Sequence, residues 1–540
     1  MTRNGSDGVR TPSEDSQGRK SASTVIVDLA ESMYRFGLSD AGETFAVPRS
    51  GAKVVVLLRG GRQSLRAQLA REYFRRTGKA APQQALADAL MVIEGIAQES
   101  DEEHVLHLRV ARYADALWLD LADATGRAIR ITAAGWTIED KAPVLFKRTA
   151  LNAALPTPIK GGSLDVLWLM LNVELDDRPL ILAAVVASFY PDMPHPVIAL
   201  NGEQGTGKTT AMKVITLIVD PSPVPARKAP RDAESWVTAA AGSWFVGLDN
   251  LSEIQPWLSD SICRAVTGEG DVRRKLYTDG DLAVFSFRRC VVLSGIDFGA
   301  LRGDLADRML PIGLYTIDDT ARVDEEQMWL RWEQLHPRIL GALLDLLAGI
   351  EGVLPSVKLT TKPRMADFAK VLAATDMVLG TTGLATYLSK QSTMAVDSLE
   401  GVDFIVMAKT AIVGTFAGTS AELLKRVTPA DEWRAPKGWP GNARAVTRLL
   451  RQQAPVMRKA GWTVTDDGGI NHDKITTWTI SPPETVCNLD PRDPQTRKKP
   501  DSAGLAGLAG QEYGPSHDDH DHIDLVDYER DYPDLFESSL

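Results

Sequence analysis

Apolar and polar residues alternate in short runs between positions 104 and 139 of this chain. The segments "HVLHLRV", "ALWLDL", "AIRIT" and "GWTIED" carry the two-residue period of strands and predict a meander. Upstream the period lengthens. "SLRAQLAREYFRRTG" and "PQQALADALMVIEGIAQE" repeat apolar positions every three to four residues, as amphipathic helices do. Downstream, "LILAAVVASFY" is apolar all round, reads as a buried helix and is too short to span a membrane. Then come three apolar runs of strand length, in "HPVIAL", "SWFVGLDN" and "CVVLSGID". "KTTAMKVITLIV" between the first two returns to helical spacing with Met212, Ile215 and Val219. Helical periods dominate again from "EEQMWLRWEQLHPRILGALLDLLAGI" through "RMADFAKVLAATDMVL". Last come "TSAELLKRV" and "NARAVTRLLRQQAPVMRKAG" as helices, and "WTVTDD" and "KITTWTI" as strands around a Gly-Gly turn. Two helices followed by a two-strand wing is the layout of a winged helix. No repeat of 20–50 residues is visible.

The junction between the first apolar run and its helix reads "ALNGEQGTGKTT". Gly202, Glu203, Gln204, Gly205, Thr206, Gly207, Lys208 and Thr209 spell G-x-x-x-x-G-K-T, and Thr210 follows. Strand, glycine loop and helix in that order suit a phosphate cradle. Backbone N–H groups would wrap a triphosphate, Lys208 would reach its β- and γ-phosphates, and the Thr209 hydroxyl would hold Mg²⁺. The bland alternative is a glycine-rich turn that opens an ordinary helix. An ATP site also needs an acid at a strand end, and "SWFVGLDN" offers Asp249, followed by Asn250. Many ATPases carry Glu at that second position to polarise the attacking water. Asn orients a water but cannot take its proton, so Glu203 and Glu253 are reserve candidates. "CVVLSGID" ends on Ser294, a polar group placed to sense a γ-phosphate. "DLADRMLPIGL" sets Arg308 before a further apolar run, as a trans arginine finger or as a partner of Asp304 or Asp307; Arg302 is a second candidate.

Between Asp249 and Ser294, "TGEGDVRRKLYTDGDLAVFSF" reads as a hairpin. Arg273, Arg274, Lys275 and Tyr277 combine cations for phosphates with a ring for base stacking, which suits single-strand binding as well as a solvated hairpin face. In the winged-helix segment Arg444, Arg448 and Arg451 fall at spacings of four and three, on one helical face. Elsewhere the sequence offers less chemistry. Asp120 and Asp123 flank a hairpin, His104 and His107 alternate with apolar residues, and no paired-carboxylate centre for primer synthesis is visible.

Charge changes the picture through its location. The chain of 540 residues carries a net −11. Ten acids and Arg530 within residues 511–540 account for −9 of it, while residues 415–483, with ten bases and six acids, carry +4. The acidity belongs mainly to a tail, and basic surfaces for nucleic acid remain available. Cys263, Cys290 and Cys487 lie far apart with no CxxC, which fits a reducing cytoplasm and argues against a disulfide frame or zinc knuckle. The first residues lack the apolar segment of a signal peptide.

The order of P-loop, "GLDN", basic hairpin, "VVLSG" and "LADR" resembles the helicase domain of superfamily III and of phage and plasmid primase-helicases, within the AAA+ class. It is also similar to bacterial ATP-binding proteins of phage or mobile-element type. "GWTIEDKAPVLFKR", "GGSLDVLWLMLNV", "LDNLSEIQPWLSDSICRAVTGEGDVRRKLYTD" and "PRMADF" carry the likeness over roughly residues 100–480. In helicase relatives Asn often follows the Ser294 position; here it is Gly295. The resemblance implies an α/β fold with an AAA+/superfamily III-like P-loop NTPase core. The expected divisions are a disordered 1–22, an α+β region over 23–150, the ATPase core with a helical lead-in over 151–320, a helical region over 321–414, a winged helix over 415–483 and an acidic disordered tail over 484–540. It further implies ATP with Mg²⁺, a cytoplasmic homo-hexameric ring and single-stranded or duplex DNA as partner. Three readings stand side by side: a DNA-translocating ATPase of element replication, a non-helicase ATPase switch in defence or regulation, and a DNA-binding regulator.

Overall fold

The computed structural model describes residues 20–58, 64–100, 102–274, 282–285, 287–295, 303–318, 322–429, 434–436, 438–468 and 476–483, with backbone alone at 271–274, 282–285 and 303. Ser21 opens α1 (Ala22–Met33), where its hydroxyl accepts the Thr24 N–H. Antiparallel β1 (Tyr34–Ser39), β2 (Thr44–Pro48) and β3 (Val54–Leu57) follow. Next come α2 (Leu65–Thr77) and α3 (Gln83–Gln98), then two-residue strands β4 (Glu103–His104) and β5 (Leu106–His107). Ile26, Leu65, Leu69 and Ile93 are fully buried in the core of this layer. The chain leaves it for an antiparallel meander of β6 (Val110–Tyr113), β7 (Ala116–Asp120), β8 (Ala128–Thr132) and β9 (Gly135–Glu139), and returns as β10 (Leu145–Lys147). The first sheet then has the order β4-β1-β2-β3-β10-β5.

The meander packs elsewhere. Leu117, Leu119, Ile129 and Ile131 share one core with α4 (Arg178–Ala187) and the sheet that follows it. Packing therefore divides the expected 23–150 unit: its first half has its own core, and its meander belongs to the next. The physical reason is burial on both faces. Every residue of β7 is buried, which an alternating pattern does not announce. Arg109, also fully buried, fastens the meander to the layer that follows. Its Nε donates to Asp220 Oδ1 at 2.9 Å and its Nη2 to the Ala153 carbonyl at 2.9 Å.

The central layer is a parallel sheet. Its elements run β11 (Val197–Asn201), α5 (Lys208–Val219), β12 (Ala226–Arg227), α6 (Ala233–Ala241), β13 (Phe245–Leu248) and α7 (Pro256–Thr267). An antiparallel pair, β14 (Asp271–Arg274) and β15 (Leu282–Phe285), intervenes before β16 (Cys290–Ser294), α8 (Gly303–Ala306) and β17 (Met309–Gly313). The sheet order is β12-β13-β16-β11-β17 and every pairing is parallel, so all carboxyl ends share one edge. The strands are apolar on both faces because helices cover both.

Helix α9 (Glu325–Val353) packs its buried face on this layer and on the meander, where the Trp136 indole donates to Asp345 at 2.7 Å. An 18-residue window of the helix spanning Glu325–Ser356 reaches a mean hydropathy of 1.6, long and apolar enough to cross a membrane, yet more than half of that window is buried inside the protein. Then come α10 (Ala366–Leu379), α11 (Gly383–Glu400) and α12 (Asp403–Ala411). The last unit is β18 (Phe416–Thr419), α13 (Ser420–Val427), α14 (Ala443–Lys459), β19 (Thr463–Asp466) and β20 (Thr477–Ser481), with an antiparallel sheet of order β18-β20-β19. The expected pair of wing strands thus has a third companion, β18. Helix α11 joins two cores: Tyr387 lies in the central one, Ala395 and Leu399 in that of the last unit.

Candidate functional site

Ligand sites of open parallel sheets lie beyond the carboxyl ends of the strands. Here that edge collects the glycine loop after β11, Asp249 after β13 and Ser294 ending β16. Gly202, Gly205 and Gly207 all have positive φ, at 155°, 89° and 74°. A Cβ on Gly202 would lie 2.7 Å from Thr206 Oγ1, so the loop's path demands a residue without one. Glu203, Gln204 and Gly205 form the exposed tip, Thr206 is buried, and Thr210 is half-buried on the first turn of α5. The Lys208 ammonium donates to the Gly202 carbonyl at 2.8 Å and to that of Glu203 at 2.5 Å. Thr206 Oγ1 braces the loop with a hydrogen bond to the Glu203 carbonyl at 2.9 Å.

Thr209, the second residue of α5, has its hydroxyl 3.1 and 3.0 Å from the two Asp249 carboxylate oxygens. Forty residues of chain separate them; the parallel sheet brings them together. Ser294 has a definite task. Its hydroxyl donates to Asp249 Oδ1 at 2.5 Å and accepts the Asn250 N–H at 3.2 Å. Its one proton goes to the Asp249 carboxylate, so it orients that group. Asn250 adopts a left-handed φ of 56° and is exposed. A non-glycine residue there costs on the order of 1 kcal/mol, held in place by the Ser294 bond.

Arg308 lies at the opposite end of the sheet. It precedes β17, and its carbonyl accepts the Val197 N–H at the start of β11. The guanidinium is 8% exposed, 2.6 Å from Asp304 Oδ1, and donates also to the Asp304 carbonyl. Arg364 holds the same carboxylate. Burial raises the Asp304 carboxyl, but hydrogen bonds from Arg308 and Cys263 and the charges of Arg308 and Arg364 outweigh it and hold it below the usual range. A finger must present a free guanidinium to its neighbour. The expectation of a trans arginine finger at Arg308 is corrected by this packing to that of a structural ion pair.

Several residues at the loop were not foreseen, because they are remote in sequence. Asn172 donates its amide to the Thr206 carbonyl at 2.9 Å and to the Tyr315 carbonyl at 2.6 Å. Ile317 lies 3.3 Å from where a Gly207 Cβ would be, and Arg322 Nη2 lies 3.2 Å from the same point on Gly205. Leu175, Tyr315 and Ile317 thus lay a partly exposed apolar shelf beside the loop, with a cation at its tip. At the end of β17 the Asp177 carboxylate accepts the Gly313 N–H at 2.6 Å and pairs with Lys390 of α11 at 2.5 Å. The sequence marked these only indirectly, by the segment "GGSLDVLWLMLNV" that contains Asn172 and by the apolar run of β17.

The nucleic-acid candidates divide. Lys275 and Tyr277 lie outside the described residues, as do Arg302 and the acidic tail. For Arg273 and Arg274 the backbone is paired in β14 with Ala283 and Leu282. Arg444, Arg448 and Arg451 are all exposed along α14, opposite buried Val446 and Leu450. Arg451 reaches toward Asp466 of β19 at 3.7 Å.

With this geometry in place, kinship can be read. Residues 164–397 match the family model of the actinomycete integrative conjugative element replication protein RepA, and residues 404–496 match that of the RepA C-terminal domain. The two matches identify a replication protein of an integrative conjugative element. This agrees with the mobile-element likeness of the sequence at its coarser level. No curated protein matches the chain. Among solved structures it is similar to one described as the active helicase Cch of SCCmec type IV, at 12% identity and a TM-score of 0.41, over 83% of this chain and 93% of that one. Two apo structures of the NrS-1 C-terminal region are similar at 12% and 11% identity, with TM-scores of 0.37 and 0.34, over 86% and 85% of this chain and 99% and 98% of theirs. Likenesses this distant carry no argument about activity.

Proposed function

We propose that this replication protein is an ATP-hydrolysing, DNA-translocating motor of helicase type. The observation that carries the reading is the meeting of Thr209 with Asp249, at 3.0 Å, beside a positive-φ glycine loop whose Lys208 ammonium is held inside it. Two hard oxygen donors side by side suit Mg²⁺. When bound there the ion supplies charge neutralisation on the β- and γ-phosphates of ATP. The chain's own groups do the rest. Loop N–H groups seat the phosphates, Lys208 adds a fixed positive charge, Ser294 holds the Asp249 carboxylate in orientation, and Asn250 is placed to orient water.

In this reading the P-loop core assembles as a homo-hexameric ring with single-stranded DNA at the β14–β15 hairpin, through Arg273, Arg274, Lys275 and Tyr277. The unit of β18, α13, α14, β19 and β20 is a winged helix that takes duplex DNA through Arg444, Arg448 and Arg451. Lys208→Ala should abolish ATP turnover and weaken nucleotide binding, and Asp249→Ala should lose Mg²⁺-dependent turnover with the fold intact. Wild-type rates in either would remove this site from the mechanism. A second reading, an ATPase switch, is favoured by Asn250, which cannot take a proton from water. Stimulation of turnover by single-stranded DNA separates the two: a motor requires it and a switch does not. Asn250→Glu should raise turnover if water activation is what the site lacks.

A further inference from the structure

Residues 59–79 hold seven bases, Arg59, Arg62, Arg66, Arg71, Arg75, Arg76 and Lys79, against one acid, Glu72. A net +6 within 21 residues is unusual in a chain of −11. The described part of this segment is α2 and the turn after it. Leu65, Leu69 and Tyr73 face the core of the first layer and fix the helix's orientation. The opposite face carries Arg71, Phe74 and Arg75, whereas Arg66 and Arg76 lie beside the buried stripe; all five are exposed. Phe74 is 57% exposed between arginines on a helix whose apolar stripe is already complete. Helix end effects explain part of this: Arg75 and Arg76 oppose the negative C-terminal dipole and pair with Glu72 at 3.6 and 3.2 Å. Neither effect explains Arg66 and Arg71, nor an aromatic ring left in water among cations. The segment lies outside both matched stretches, 164–397 and 404–496.

We propose that the outward face of α2 binds single-stranded nucleic acid, with Arg71 and Arg75 on neighbouring phosphates and Phe74 stacked on a base. Charge complementarity names a polyanion. The exposed ring selects a single strand, since a duplex hides its base faces and offers Phe74 nothing to stack on. The site goes beyond the proposed motor function, because α2 belongs to a core separate from the sheet that carries the glycine loop.

The test uses the full chain without nucleotide, on an Arg444→Ala, Arg448→Ala, Arg451→Ala background that removes the arginine face of α14. A 20-nucleotide oligothymidine and a 20-base-pair duplex are titrated across a salt series. Joint replacement of Arg71 and Arg75 by Ala should lower the single-strand salt slope by about 1.4, at roughly 0.7 per phosphate. Phe74→Ala should weaken oligothymidine about 5- to 100-fold, the loss of one stack, and duplex binding less than twofold. Phe74→Leu, which keeps the apolar bulk, should lose nearly as much. An oligonucleotide carrying 5-iodouracil should photo-crosslink to the peptide that contains Phe74, which reads this face directly whatever other sites bind. Absence of that crosslink, or equal weakening of single strand and duplex by Phe74→Ala, overturns the proposal. ATP turnover without DNA should be unchanged in every α2 variant, so failure here is distinct from failure of the motor reading.

Discussion

The Arg308 guanidinium sits beneath the start of β17 with a carboxylate oxygen of Asp304 at 2.6 Å. Asp304 is half-exposed and keeps Arg364 as a second partner, so removing Arg308 does not strand a buried charge. Arg308→Ala should therefore lower stability modestly, by about 1–2 kcal/mol, and leave ATP turnover within a few-fold of wild type in the folded protein. Denaturant unfolding and steady-state hydrolysis check both. A 10³-fold loss of turnover, rescued by mixing with Lys208→Ala protein, would instead restore a finger role. The same residue shows what a sequence conceals. The Asp304–Arg308 spacing admitted an ion pair beside the expected finger, and burial decides between them. Thr209 and Asp249 were legible because each belongs to a local pattern, a glycine loop and an apolar run ending in acid. Asn172, Tyr315 and Arg322 were not, because the chain meets them at the loop only after the sheet has formed.

At the scale of elements, long runs of one period gave reliable readings and two-sided burial did not. α2, α3 and α14 follow their apolar spacing closely. The meander's strands were legible, but the core they join was not, since β7 is buried on both faces. β18 is four residues containing Gly418, too short and too plain to carry a pattern; its pairing with β20 forms it. Its neighbour α13 is set by a capping box in which Thr419 and Glu422 exchange hydrogen bonds. α14 then projects its arginines from a rigid base: Val446, Leu450 and Met457 are buried beneath it. Joint replacement of Arg444, Arg448 and Arg451 by Ala should reduce the salt slope of duplex binding by about 2 to 3, at roughly 0.9 per phosphate. The lower end is expected if Arg451 keeps Asp466 as its partner. An unchanged slope in a folded variant would leave this unit as a packing module.

Across the whole molecule, buried polar groups tie the layers together, and two of them make the tie sensitive to acid. Asp220 accepts Arg109 from the meander and the Trp244 and Phe245 N–H groups of the parallel sheet. His195 enters the same region at the foot of β11, edge-on to the Trp244 ring, with neither ring nitrogen hydrogen-bonded among the described residues. Burial foremost, and then the charges of Arg288 and Arg289, push its pKa down to about 3. His336 on α9 stacks on Trp332; burial pushes it down to about 4, against a hydrogen bond with the Ile218 carbonyl that raises it. In the unfolded chain both titrate near 6.5. Above that pH neither state binds the proton and the histidines add no pH dependence. Below it the unfolded chain takes up protons that the native fold refuses, so stability falls with pH, by up to about 1.4 kcal/mol per unit for each histidine. The loss runs on to about pH 4 for His336 and about pH 3 for His195. His195→Phe removes one of these terms without orphaning a hydrogen-bond partner, since the imidazole has none among the described residues and a ring can still meet Trp244. Between pH 7 and pH 5 the variant should lose about 2 kcal/mol less than wild type on urea unfolding. Parallel losses would mean that His195 takes its proton inside the fold, and that the contact between β11 and Trp244 admits a charge.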